Sequence, residues 1–168
     1  MKNIVLIGMP GAGKSTIGVL LAKSMLMDFS DTDLIIQKKY SAALCEIIRK
    51  HGISEFLRIE NEVICNSEFH NCVIATGGSA VYGEEAMKSL KETGIAVYLK
   101  VEPQELEKRI KNIHTRGIAM KSSETIEDLF NERAPLYEKY ADVTIDCNGL
   151  TAEECVRSIY ERLIDIEI

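Results

Sequence analysis

Gly8-Met9-Pro10-Gly11-Ala12-Gly13-Lys14-Ser15 follows directly on the apolar run Ile4-Val5-Leu6-Ile7 and opens directly into a stretch of helical character, Gly13–Met27. A continuous run of branched apolar residues reads as a strand buried on both faces, here Asn3–Gly8. The spacing is a full G-x-x-x-x-G-K-S in strand–loop–helix context. Gly8, Gly11 and Gly13 let the backbone curl so that successive N–H groups face inward as an anion nest. The helix start adds its partial positive charge. In such a loop Lys14 reaches the β- and γ-phosphates of a nucleotide and Ser15 offers a hydroxyl to Mg²⁺. A chance match on a glycine-rich turn is the competing reading, and the flanking strand and helix argue against it.

Outward from this loop, short apolar runs alternate with longer helical patterns. Asp28–Asp31, Cys72–Thr76, Ile95–Val101 and Val143–Asp146 read as further strands. Asp33–Tyr40, Ala43–His51, Glu55–Asn66, Glu84–Glu92, Pro103–Asn112, Ile126–Tyr140 and Thr151–Ile164 read as helices, the last opened by a capping box from Thr151 to Glu154. This alternation predicts an α/β fold, a parallel sheet with helices on both faces. Ile113–Thr125 is polar, contains Gly117 and lacks a period, as expected of a functional lid or a disordered stretch.

With 168 residues, 46% of them hydrophobic and 27% charged, the chain fits a single folded domain. A net charge of −6 argues against a nucleic-acid surface spread over the molecule. The N-terminal apolar run is too short for a secretion signal, and no run approaches the roughly 18 residues that span a bilayer. The five cysteines are odd in number and form no C-x-x-C pair, so they read as reduced, packed thiols of a cytosolic protein. His51, His70 and His114 form no metal or base constellation, and the methionines at 25, 27, 87 and 120 read as packing.

Behind the second strand stands Asp31-Thr32-Asp33. Two carboxylates just past the carboxyl end of a strand lie at the crevice where open α/β sheets bind ligands. One can hold Mg²⁺ and the other can accept a proton from a hydroxyl nucleophile. Either could instead be the N-cap of the next helix.

Together, the loop Gly8–Thr16, Asp31-Thr-Asp33, a helix with Phe-x-Arg-x-x-Glu-like residues, Thr76-Gly-Gly, Arg116 and Arg133-Ala-Pro-Leu-Tyr137 resemble the shikimate kinase family, nearly end to end. The resemblance implies a three-layer P-loop sandwich with a five-stranded parallel sheet, and transfer of the γ-phosphoryl of MgATP to a ring hydroxyl of shikimate. It implies phosphate and metal contacts from Gly11, Ala12, Gly13, Lys14, Ser15 and Thr16, with Asp31 facing the metal. Arg109 would lie against the adenine and the lid residue Arg116 would approach the transferring phosphoryl. For the acceptor it implies Asp33 on the hydroxyls, Arg133 on the carboxylate, and Gly77 and Gly78 presenting backbone N–H groups. Family members are often monomeric, so a monomer with a small-molecule substrate and neither membrane nor nucleic-acid partner is expected.

Three positions depart from the pattern. Leu57 stands where the family has a second carboxylate-binding arginine, Ser79 replaces a third glycine, and Arg116 is followed by Gly117-Ile-Ala119. Arg58 is the candidate to replace the missing arginine, although adjacent helical residues point about 100° apart. Losing one charge-assisted contact to a carboxylate costs on the order of 1.5–3 kcal/mol. The departures leave three readings: a shikimate kinase with an unusual pocket, a kinase for another small hydroxylated acceptor, and a nucleotide-binding regulator without turnover.

Overall fold

Every residue of the first strand, β1 (Asn3–Ile7), is buried, so both faces of the sheet it belongs to are covered. The computed structural model describes residues 2–110, 117–121 and 123–164. The other strands are β2 (Asp28–Asp31), β3 (Cys72–Ala75), β4 (Gly94–Lys100) and β5 (Val143–Asp146). All pairings are parallel, in the order β2-β3-β1-β4-β5. The helices are α1 (Lys14–Met25), α2 (Thr32–Tyr40), α3 (Leu44–His51), α4 (Ile53–Cys65), α5 (Glu84–Thr93), α6 (Pro103–Arg109), α7 (Ile126–Tyr140) and α8 (Ala152–Ile164). α1 packs with α8, while α4 packs with α5 and α6 with α7, and both groups touch the sheet. This is the α/β sandwich with five parallel strands that the sequence led one to expect.

Two details of register position the site. β1 lies between β3 and β4, so the loop leaving its carboxyl end emerges at the middle of the sheet. Asp31 is level with Ala75 in the β2–β3 pairing, which sets the end of β2 beside the segment Thr76–Ser79. A one-residue slip would turn every side chain of a strand to the opposite face, so burial of both faces fixes this alignment strongly.

The main core is built on the sheet. A second apolar cluster, with Ile36, Leu44, Ile47, Phe56, Ile59, Val63 and Ala119, joins α2, α3 and α4. The capping box at α8 is present: Thr151 Oγ1 accepts from the Glu154 N–H at 3.2 Å, and Glu154 Oε2 accepts from the Thr151 N–H at 2.8 Å. A short 3-10 turn over Ala80–Tyr82 was not legible in the sequence, and α6 ends at Arg109 rather than Asn112. Among the cysteines, Cys72, Cys147 and Cys155 are buried as expected, whereas Cys65 is exposed at the end of α4.

Asn3 is a polar residue in this apolar setting, 2% exposed. Its Nδ2 donates to the Phe69 carbonyl at 2.9 Å and to Thr93 Oγ1 at 3.2 Å, and its Oδ1 accepts from the Cys72 N–H at 3.0 Å. One side chain thus ties β1 to the starts of β3 and β4. Asn3→Ala leaves those buried groups unsatisfied and is expected to cost about 2–3 kcal/mol in urea unfolding. A loss under about 0.5 kcal/mol, typical of surface changes, would show that the tie carries no weight.

Candidate active site

Gly11 and Gly13 have φ of +82° and +96°, a region that side-chain-bearing residues enter at a cost. Gly13 is the N-cap of α1 and supplies no side-chain cap, so the first N–H groups of the helix are left for an anion. Lys14 is 8% exposed, and its ammonium arches back over the loop to donate to the carbonyls of Gly8 and Met9 at 2.7 and 2.9 Å.

Ser15 Oγ donates to Asp31 Oδ2 at 2.6 Å. The other oxygen of Asp31 accepts from the Asp33 N–H at 3.0 Å, which makes Asp31 the N-cap of α2. The N-cap reading of Asp31 holds through one oxygen, while the other is engaged by Ser15. A hydroxyl and a carboxylate oxygen brought together in this way fit the oxygen-only chemistry that Mg²⁺ selects.

A cavity of about 450 Å³ joins these parts. Gly11, Gly13, Lys14, Ser15, Thr16 and Arg109 line it together with Asp33, Gly77, Gly78, Ser79 and Arg133. Ala12 does not line it and is buried in the core. Arg109 is held in place by Glu105 at 3.1 Å and by the Cys147 carbonyl at 3.3 Å. Arg133 is 1% exposed; its Nη2 donates to the Ala119 carbonyl at 2.6 Å and its Nε to Tyr82 Oη at 3.2 Å. Tyr82 in turn hydrogen-bonds Glu132. Arg116 lies outside the described residues.

The structure does not bring Arg58 to this cavity. Its side chain is 62% exposed and bound to Glu55 at 2.7 Å and Glu62 at 3.3 Å, on the outer face of α4. The correction has the reason that helix geometry supplies: Phe56 faces the cavity, and Arg58 is two residues, about 200°, further round. Leu57 is also outside the main cavity; it lines a separate space of about 130 Å³ with Ala119, Tyr82 and Glu132.

One buried carboxylate at the site was not singled out from the sequence. Glu60 is 1% exposed and accepts from Ser79 Oγ at 2.6 Å through Oε2. Its Oε1 has no hydrogen-bond partner among the described residues. A Cβ on Gly77 would stand 2.2 Å from that oxygen and 2.8 Å from Asp33 Oδ1, so a larger residue would displace one or both carboxylates. The signal was present: Phe56, Ile59, Val63 and Ile64 form a helical apolar stripe, and Glu60 occupies a place within it.

These burials shift the charges. Desolvation pushes Asp33 up to about 6, Asp31 adds to the effect and Lys14 opposes it. Desolvation lowers Lys14 to about 8 against the pull of Asp33. Glu60 is raised from 4.5 to about 7, again chiefly by burial, with the Ser79 hydrogen bond working the other way. A proton acceptor close to neutrality beside a buried cation is the arrangement that general-base chemistry on a hydroxyl requires.

The family described as shikimate kinase matches residues 10–164 of the chain. The shikimate kinase of Thermodesulfovibrio yellowstonii is 42% identical, with 97% of each chain covered. That of Caldanaerobacter subterraneus subsp. tengcongensis is 35% identical over 99% of each. The structure of shikimate kinase from Acinetobacter baumannii in complex with shikimate superposes with a TM-score of 0.89 at 30% identity, covering 100% of this chain and 96% of that one.

The raised Glu60 carboxyl makes stability depend on pH. Its folded form holds a proton more tightly than its unfolded form, so its contribution is full below about 4.5 and is lost as pH rises through about 7. Glu60→Gln removes that loss. Relative to wild type, the variant is expected to gain up to about 3 kcal/mol in denaturant unfolding between those pH limits and to level off above them. A difference that stays flat with pH would place the Glu60 carboxyl in the ordinary acidic range.

Proposed function

The chain belongs to the shikimate kinase family, and on that premise we propose that it transfers the γ-phosphoryl of ATP to a ring hydroxyl of shikimate. The observation that carries the reading is one cavity lined by Lys14 and Ser15 and also by Asp33 and Arg133. Phosphoryl transfer needs a phosphate cradle and a hydroxyl-orienting carboxylate facing each other across one space. No observation favours a different acceptor or a non-catalytic regulator.

On this reading the loop Gly11–Thr16 and the start of α1 hold the phosphates, and Arg109 flanks the base. Ser15 and Asp31 would hold Mg²⁺, which when bound supplies neutralisation of the phosphate oxygens. The ammonium of Lys14 leaves the Gly8 and Met9 carbonyls for the phosphate oxygens. Arg133 receives the acceptor's carboxylate, and the backbone of Gly77 and Gly78 frames its ring; the Gly77 N–H, expected to face the acceptor, is instead given to Thr32 Oγ1. Asp33 orients the hydroxyl and takes its proton as the oxygen–phosphorus bond forms and the bond from γ-phosphorus to ADP breaks. Once the phosphate ester has left, Asp33 returns the proton to water.

The segment 113–125 serves as the lid in this proposal, with Arg116 approaching the transferred group and water excluded on closure. The described part of that segment is consistent with docking on the acceptor side, because the Ala119 carbonyl accepts from Arg133 and Ala119 packs into the cluster of α2, α3 and α4. A monomer in the cytoplasm acting on this small molecule, at a step leading to the aromatic amino acids, completes the proposal. None of the helices among the described residues is long and apolar enough to cross a membrane.

ADP release from MgATP is expected to require shikimate. Lys14→Ala and Asp33→Ala are each expected to lower kcat by at least about 10²-fold, the usual scale for removing a preorganised charge or a catalytic acid–base group. Nucleotide binding without shikimate-dependent turnover, or near-normal kcat in both variants, would refute the assignment.

A further inference from the structure

Glu60 stands directly behind the acceptor end of the cavity without forming part of its wall. It follows Leu57 by three residues on α4, so the two positions are neighbours on the helix surface and a cation at 57 would lie within reach of the carboxylate. Leu57 provides no charge, and Arg58 is turned outward to Glu55 and Glu62. The donor that reaches Glu60 is the hydroxyl of Ser79, which is itself 5% exposed and lines the cavity. A buried carboxylate that finds, among the described residues, one hydroxyl donor for one oxygen and none for the other is poorly supported as an anion. As a neutral acid it has a proton to give to Ser79.

Resting on the kinase reading above, we propose that Glu60 and Ser79 form a carboxyl–hydroxyl relay that sets the hydrogen-bonding polarity of the acceptor site. With Glu60 neutral, its O–H donates to Ser79 Oγ and the serine proton is free to point at an anionic group of the acceptor. With Glu60 ionised, Ser79 gives its proton to the carboxylate and offers the cavity only lone pairs. One proton exchanges between Glu60 and solvent, and no other bond changes. Burial holds Glu60 at about 7, so both states are populated near neutrality. Asp33 on α2 pushes Glu60 towards the neutral form, while Arg133 on α7 and Lys14 on α1 oppose it. Ser79 thereby supplies a neutral donor to a cavity that neither Leu57 nor Arg58 lines.

The test is the KM for shikimate, at saturating MgATP, in wild type, Glu60→Gln and Ser79→Ala. From about pH 6 to about pH 8.5 the wild-type KM is expected to rise about tenfold, the worth of one charge-assisted hydrogen bond. Glu60→Gln, whose amide donates to Ser79 without titrating, flattens that rise to less than about twofold. Ser79→Ala has the high KM already at low pH. The KM for ATP, followed in parallel, is expected to trace one curve in all three proteins, and the titrations of Asp33 and Lys14 are read separately, from kcat. An equal rise in Glu60→Gln, or a low KM in Ser79→Ala, overturns the relay; Ser79→Gly takes the place of the alanine variant if that one does not fold. Should no protein turn over shikimate, the kinase reading fails and the relay is judged alone, by ¹³C titration of the Glu60 carboxyl in the ligand-free protein. A midpoint near 7 that moves up by about half a unit or more in Ser79→Ala supports it; a midpoint below about 5.5, or one unmoved, overturns it.

Discussion

The ammonium of Lys14 is buried, and the rest of the site is arranged around that fact. A withdrawn cation costs several kcal/mol unless hydrogen bonds and opposite charges offset the loss of water. Here two loop carbonyls receive its protons, and Asp33, Asp31 and Glu60 lie near enough to oppose the fall in its pKa. The same groups act in return: Lys14 holds Asp33 and Glu60 below the values that burial alone would give them. Removing any one member changes the protonation of the others, so the site behaves as a coupled set. The loop's curled shape is part of this balance, because the carbonyls that accept from the ammonium belong to the loop itself.

Across the cavity, the acceptor end is shaped by close approach more than by charge. Gly77 separates two carboxylates that leave no room for a methyl group, and its N–H donates to Thr32 Oγ1 at 3.1 Å. Tyr137 on α7 donates to the Gly78 carbonyl at 2.6 Å, so the backbone between β3 and the 3-10 turn is held from both sides. Arg133, one turn earlier on α7, is fixed from the same helix. α2, α4 and α7 thus each contribute one bond or one wall to the segment Gly77–Gly78.

What the sequence made legible was local. The strand, glycine loop and helix around Lys14 could be read because each lies within a few residues of the next. The same holds for the capping box of α8 and for the strands Asp28–Asp31 and Val143–Asp146, whose limits coincide with those observed. The outward direction of Arg58 followed from helix geometry alone. Unread were the pairings that close over long separations: Ser79 with Glu60 is 19 residues apart, and Asn3 with Cys72 is 69. Glu60 went unread although it falls within the apolar stripe of α4, because its partner Ser79 lies on a distant segment. Leu57, conspicuous as a departure, proved to border a different space from the one it was expected to alter.

Asp31 ends one structural element and begins another, with one oxygen on Ser15 and the other on the first turn of α2. A residue with that double engagement is a poor place for gradual divergence. A change that spared the helix start, such as asparagine, would still remove the charge beside Ser15, whereas Asp33 could be altered without touching the cap. Descendants of this chain that lost catalysis but kept the fold would therefore be expected to drift first at 33 and last at 31. An aspartate retained at 31 would then record the history of the scaffold rather than a surviving activity.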